Sequence, residues 1–383
     1  MNNRNLLRSA SNCLSVALLF TVAASAVTCA APPDQAQAQA EPDVPKILQI
    51  ESQGSRAFAG TRLHNPEDPS GSRFLACDHG IVDWQIPPGA HNTPLVLTHG
   101  SGIRVYQTTM DGRPGFQSLF LGEGYAVYLV DYPGIGRADQ GCEAYTYTPN
   151  LNANRVFENR IGTWPVGQPQ PTYFPGVAFA QDPETLNQNF RVQYQDTFMD
   201  TQAHRALEGA ALAVLLDEIY ADRGEKAVVF NHSSGSVSAF RAGLGTDKIA
   251  GYVTFEPGNG GALFPEGEVP MITLADGTQI SAGSSLPLEE FRTLAAYPQL
   301  IIWGDNIPAE VDPASTTEPV LSVRAERFKL MAAALNKYGG DAVNLYLPEE
   351  GIFGNTHRIM ADTNNTEVAE QIKLWMAEHG LDR

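Results

Sequence analysis

Residues 226–245, "KAVVFNHSSGSVSAFRAGLG", decide how the chain reads. Ala227 to Phe230 are a short apolar run of the kind a buried strand carries, and from Ser234 onward the small and apolar residues suit a helix. Between them the chain turns polar and small over a few residues. The stretch therefore predicts strand, sharp turn, helix, with a cluster of serines at the bend.

Working outward, the same alternation recurs. Apolar strands are predicted in "TPLVLTHGSG" (93–102), "YAVYLVDYPGIGRA" (125–138), "IAGYVTFEPG" (249–258), "QLIIWGD" (299–305) and "AVNLYLPE" (342–349). Helices are predicted in 114–124, 201–224, 322–340 and 365–380, while 73–87 reads as two short strands or a hairpin and 258–295 as irregular. Near-continuous apolar strands alternating with helices imply a mostly parallel α/β sheet covered on both faces. In such sheets ligands sit at the carboxyl ends of the strands. Those ends carry His99, Asp131, Ser233, Glu256, Asp305 and the loop with His357. No P-loop and no dinucleotide glycine fingerprint is present, and neither a cofactor nor a metal is implied.

The 383 residues are 43% hydrophobic, enough for one large core, and carry a net charge of −18. Arg4 and Arg8 precede the apolar run "CLSVALLFTVAASAV" (13–27), which leads into "APPDQAQAQAEPD" (31–43). Residues 1–40 are thus expected to be a signal peptide and flexible leader, with 41–383 the mature domain in a secreted or periplasmic protein. "AVTC", ending at Cys29, faintly resembles a lipoprotein box, although Thr28 departs from it. So acidic a chain repels phosphate backbones and anionic lipid, which argues against nucleic-acid or membrane partners. Outside the leader only Cys77 and Cys142 remain, 65 residues apart, either as one disulfide or as two buried thiols.

The order of features resembles the α/β-hydrolase superfamily, over nearly all of the mature chain. The resemblance implies that Ser233, two residues after Asn231 and two before Gly235, is the nucleophile at a strained elbow, with Asn231 standing where a small residue is usual. Asn tolerates unusual backbone angles, which would account for its presence there. "THGSG" (98–102) implies an oxyanion loop, with Ser101 or Gly100 supplying one N–H and Ser234 the other. His357, after the last strand, is the implied base. For the acid, the commoner location would need a carboxylate three residues beyond Gly304, where Ile307 stands, with Asp305 nearby as the alternative. Glu256 at the preceding strand tip, together with "DGRPGF" (111–116), "GDNI" (304–307), "GNTHRIM" (354–360) and Asn364-Asn365, resembles a group of secreted bacterial carboxylesterases with a Ser-Glu-His triad.

Residues 143–200 fall where this superfamily inserts a cap, and hold Phe157, Trp164, Tyr173, Phe174, Phe179, Phe190, Tyr194 and Phe198 as pocket-lining or core-anchoring aromatics. The implied activity is hydrolysis of a small-molecule carboxylic ester through an acyl-enzyme. Peptidase or thioesterase chemistry on the same triad, or a non-catalytic binding protein of the same fold, stay open.

Overall fold

The computed structural model describes residues 47–100, 102–138, 140–143, 161–163, 171–192, 202–307 and 318–383. Eight strands form one sheet: β1 (Ser52–His64), β2 (Phe74–Ile86), β3 (Leu95–Leu97), β4 (Val127–Asp131), β5 (Ala227–His232), β6 (Ile249–Phe255), β7 (Gln299–Trp303) and β8 (Ala342–Tyr346). Their order across the sheet is β1-β2-β4-β3-β5-β6-β7-β8. β2 runs antiparallel to both β1 and β4, and the six strands from β4 to β8 are parallel.

Successive side chains on a strand face opposite ways, so each central strand feeds two cores. Val96, Val130, Val229, Tyr252 and Ile301 face one side with residues of α4 (Gln202–Arg223), α5 (Gly235–Gly245), α6 (Leu288–Ala295) and α7 (Glu318–Lys337). Leu97, Leu129, Phe230, Phe255 and Ile302 face the other, with α2 (Phe116–Gly122) and α8 (Asn365–Glu378), and α1 (Arg104–Gln107) lies on this side too. Burial on both faces is why these strands read as unbroken apolar runs.

Two expectations are corrected. Residues 73–87 are not a hairpin by themselves but one 13-residue strand, β2, whose antiparallel partner is the equally long β1. β1 lies at the sheet edge with only Phe58 buried, so it shows no apolar period. The register skips one residue on each strand at Gly60 and Asp78, and Asp78 takes a φ of 55°. Residues 258–295 also hold more order than expected: 263–265 pair with 284–286, 271–273 pair with 279–281, and α6 packs Phe291, Leu294 and Ala295 into the core. The spacing of those three apolar residues was the available signal.

Cys77 of β2 is joined to Cys142 by a disulfide. Asp78 adds two hydrogen bonds to the same stretch, accepting from the Cys142 N–H at 3.0 Å and donating its own N–H to the Gln140 carbonyl at 2.9 Å. Beyond Cys142, the described part of 143–200 includes a short pairing of 162–163 with 172–173 and α3 (Pro183–Arg191). α3 starts cleanly because Pro183 needs no amide partner there and Asp182 accepts from the Glu184 and Thr185 amides. Phe179 is buried, and Tyr173, Phe174 and Phe190 pack partly against the same core as α8. Phe157, Trp164, Tyr194 and Phe198 lie outside the described residues, as do the leader, Cys29 and Ser101.

Candidate active site

The bend between β5 and α5 puts Ser233 in the left-handed region, φ 52°. A non-glycine residue there costs roughly 1–2 kcal/mol, so something must hold it. Three donors converge on its carbonyl: the Ser236 amide at 3.1 Å, the Ser236 hydroxyl at 2.8 Å and the Gly258 amide at 2.7 Å. Its own N–H donates to the Phe255 carbonyl at 3.1 Å. Gly235 is required by close approach, since a Cβ there would lie 2.7 Å from the His99 carbonyl carbon. Asn231 has a different explanation from the expected one. It takes no positive φ; it is an ordinary β5 residue, fully buried, whose Nδ2 donates to Thr254 Oγ1 on β6 at 3.1 Å. The strain falls on the serine alone, and position 231 serves as a cross-strand tie.

At the tip of β6, Glu256 is the second strained residue, φ 40°, and is fully buried. Its Oε1 accepts from the Gly304 amide at 2.8 Å, and its Oε2 stands 2.7 Å from His357 Nδ1. The other ring nitrogen, Nε2, stands 3.0 Å from Ser233 Oγ. Nδ1 facing a carboxylate must carry the proton, which leaves Nε2 as an acceptor for the serine hydroxyl. The structure thus brings Ser233, Glu256 and His357 into one chain of hydrogen bonds. Asp305 has other work: its oxygens accept from the Asn306 amide at 2.6 Å and the Gly354 amide at 2.9 Å, and its N–H donates to the Asn355 carbonyl at 3.2 Å.

Several residues that position His357 escaped the sequence reading. Asp362, almost fully buried, accepts from the Thr356 amide at 2.7 Å, the Thr356 hydroxyl at 2.8 Å and Asn355 Nδ2 at 3.2 Å. Arg113, from "DGRPGF", donates to the Asp362 carbonyl at 3.0 Å and Asn365 Oδ1 at 3.3 Å, while Asn355 and Asn364 exchange amide hydrogen bonds. Those short motifs are one scaffold for the histidine loop, though nothing local in the sequence says so. His232 Nε2 donates to the His357 carbonyl at 2.8 Å, and the two rings lie 4.6 Å apart. Burial, followed by the neighbouring His357, pushes the His232 imidazole well below its ordinary pKa, so it stays neutral.

On the other side of Ser233, His99 is fully buried, accepts from the Gly102 amide and lies 3.4 Å from Asp131. Burial pushes the Asp131 carboxyl up, but His99 and Arg137 outweigh it and hold the group below the usual carboxylate range. Gly100 faces the elbow so closely that a Cβ would lie 3.0 Å from the Ser234 nitrogen. Among the described residues the Ser234 and Gly235 amides donate to no acceptor, and they open the N-terminal end of α5. Free amides at a helix N-terminus suit a developing negative charge. Among the described residues no group of three His, Cys, Asp or Glu side chains could hold a metal ion, and no helix is long and apolar enough to cross a membrane.

No family model matches the chain. It is 27% identical over 327 residues to the probable secreted lipase phiG of a fungal species (strain ATCC 74256), covering 74% of this chain and 81% of that one. Among solved structures it is similar to a novel bacterial esterase, with 22% identity, a TM-score of 0.65, and 88% of this chain and 99% of that chain covered. The strand order, the helices on both faces and that likeness together show that the chain has the α/β-hydrolase fold.

Proposed function

We propose that the protein is an exported serine carboxylester hydrolase working through an acyl-enzyme. The observation that carries this reading is the chain Ser233 Oγ, His357 Nε2, His357 Nδ1, Glu256 Oε2, with contacts of 3.0 and 2.7 Å, at a serine held in a strained turn. His357 takes the hydroxyl proton as Ser233 Oγ attacks the ester carbonyl carbon. Glu256 fixes the tautomer and stabilises the imidazolium that forms. The carbonyl oxygen becomes an oxyanion against the Ser234 N–H and a second amide from the 99–102 loop, Gly100 or Ser101; each donor is worth about 3 kcal/mol in the transition state. His357 then protonates the departing alcohol, and water, deprotonated by His357 in turn, releases the acid.

The likeness to a bacterial esterase and to a probable secreted lipase supports ester substrates. The Cys77–Cys142 disulfide suits an oxidising compartment, which supports export and removal of residues 1–40. Residues 143–200 serve in this reading as a cap beside the site. The test is labelling with a fluorophosphonate probe alongside turnover of p-nitrophenyl esters, amides and thioesters. The wild-type protein should label stoichiometrically and turn over esters fastest, and Ser233→Ala should do neither while folding normally. Labelling that survives Ser233→Ala, or that is lost only in Ser234→Ala, would overturn the assignment.

A further inference from the structure

Two histidines beside the elbow are held as opposite tautomers. His357 carries its proton on Nδ1, facing Glu256. At His99 the roles are exchanged: Nδ1 accepts from the Gly102 amide, so the proton of the neutral ring sits on Nε2. Nε2 lies 3.4 Å from Asp131 Oδ1. Both atoms are buried, and among the described residues neither meets any other hydrogen-bond partner. The contact is longer than an ordinary hydrogen bond, yet an N–H and a carboxylate oxygen sealed together have only each other to satisfy. Asp131 is in turn held from behind. Its Oδ2 accepts from Arg137 Nε at 2.8 Å, and Arg137 Nη1 donates to Asp83 Oδ2 at 2.6 Å.

The bond from the Gly102 N–H to His99 Nδ1 spans residues i and i+3 and closes a turn. Gly102 has a φ of 123°, which glycine takes freely. The other end of the turn is fixed just past β3. The Thr98 N–H and hydroxyl both donate to the Phe230 carbonyl, at 2.7 and 3.1 Å, and the Tyr106 hydroxyl donates to the Thr98 carbonyl at 3.0 Å. Gly100 and Ser101, the candidate oxyanion donors, are the two residues between His99 and Gly102. Whatever orients the His99 ring therefore shapes the loop that supplies the second amide. An imidazole that moved its proton to Nδ1 would oppose one N–H with another, and the turn would lose the bond that closes it.

We infer that Asp131 is a positioning residue for the oxyanion loop, acting through the tautomer of His99, with Arg137 holding the carboxylate in place. The inference rests on the hydrolase reading. A carboxylate and a histidine are then used twice, once to ready the nucleophile and once to shape the place where charge develops. Asp131→Asn keeps the shape but has one oxygen for two donors. If that oxygen stays on Arg137, the amide NH2 meets Nε2 and drives the imidazole proton to Nδ1, against Gly102. If it turns to His99, the NH2 opposes Arg137 Nε–H. An oxyanion forms only in the transition state, so the damage should fall on kcat and leave KM nearly unchanged. It should not exceed the loss of about 10² to 10³ that removal of one oxyanion donor causes.

The experiment measures three things on the full chain: kcat and KM for p-nitrophenyl butyrate, inhibition by a trifluoromethyl ketone whose adduct with Ser233 carries an oxyanion, and thermal unfolding of every variant. Asp131→Asn should lose about tenfold or more in kcat with KM within about threefold of wild type. Its affinity for the ketone should fall by the same factor as kcat/KM. His99→Asn, whose side-chain oxygen can replace Nδ1 as acceptor for Gly102, should keep about tenfold more kcat than His99→Leu, which offers no acceptor. A folded Asp131→Asn that loses less than about threefold in kcat, or whose loss is confined to KM, would overturn the inference and leave the hydrolase reading standing. So would a His99→Leu enzyme as active as His99→Asn, and that pair decides the matter if Asp131→Asn fails to fold. A wild-type protein that turns over no ester would sink the hydrolase reading and this inference together.

Discussion

Replacing Glu256 by Gln tests the core of the chemistry, because the two oxygens of this carboxylate face unlike partners. Oε1 accepts from the Gly304 amide and Oε2 faces His357 Nδ1. A glutamine has one oxygen and must choose. If the oxygen stays on Gly304, the amide NH2 meets Nδ1, the imidazole moves its proton to Nε2, and Nε2 can no longer accept from Ser233. If the oxygen serves His357, the NH2 opposes the buried Gly304 N–H, and leaving that donor unsatisfied costs about 1–3 kcal/mol. The productive orientation also loses the charge that assists the imidazolium, worth about 1.5–3 kcal/mol for a hydrogen bond to an ionised group. Together these come to about 2.5–6 kcal/mol, a loss of about 10² to 10⁴ in kcat at 1.36 kcal/mol per decade. The assay is kcat for a p-nitrophenyl ester, with thermal unfolding to show that the fold survives. Asp305→Asn is the control: it perturbs the Gly354 contact but not the imidazole, and should lose far less. A Glu256→Gln enzyme within a few-fold of wild type, beside a nearly dead Asp305→Asn, would refute the reasoning.

Ser233→Gly should be inactive yet more stable than Ser233→Ala by roughly 1 kcal/mol in urea unfolding, because glycine accepts a φ of 52° without strain; equal stabilities would count against a strained elbow. Reducing the Cys77–Cys142 bridge, which closes a 65-residue separation, should cost about 4 kcal/mol by the loop-entropy argument, seen as a lower unfolding temperature in dithiothreitol. His232 is held neutral by burial, so below its ordinary pKa of 6.5 the unfolded chain takes up a proton that the folded chain refuses. Stability should therefore fall as pH drops below 6.5, by up to about 1.4 kcal/mol per pH unit from this group, and His232→Asn should show a shallower fall. Identical pH slopes for the two proteins would remove His232 from that account.

The parallel strands were legible because each is buried on both faces and so is written as a plain apolar run. The candidate positions Ser233 and Glu256 were legible for a related reason, as each follows directly on a strand, while His357 stands in the loop between the last strand and the terminal helix. β1 was not, since an edge strand exposed along most of its length carries no pattern. α6 was overlooked although Phe291, Leu294 and Ala295 have helical spacing, because the Gly- and Pro-rich residues before it suggested a loop. The scaffold of Asp362, Arg113 and Asn365, and the pairing of Arg358 with Asn189 some 169 residues earlier, depend on closures between distant segments. Even where local reasoning pointed correctly to an odd residue, as at Asn231, it supplied the wrong cause: backbone tolerance instead of a side-chain bond to the next strand.

Gly100 and Gly235 have a consequence for how this protein can be varied. A methyl on Gly100 would meet Ser234 at 2.3 Å from its hydroxyl oxygen, and a methyl on Gly235 would meet the backbone of His99. The elbow and the loop after β3 are thus each other's walls, and a substitution in one is judged by what occupies the other. Free energies of mutation at positions 99–102 and 233–235 should depart strongly from additivity, as expected of residues sharing contacts. Single-site libraries would find nearly every change deleterious and suggest that the region is closed to improvement. Libraries crossing both segments would sample compensated pairs whose members are each deleterious alone.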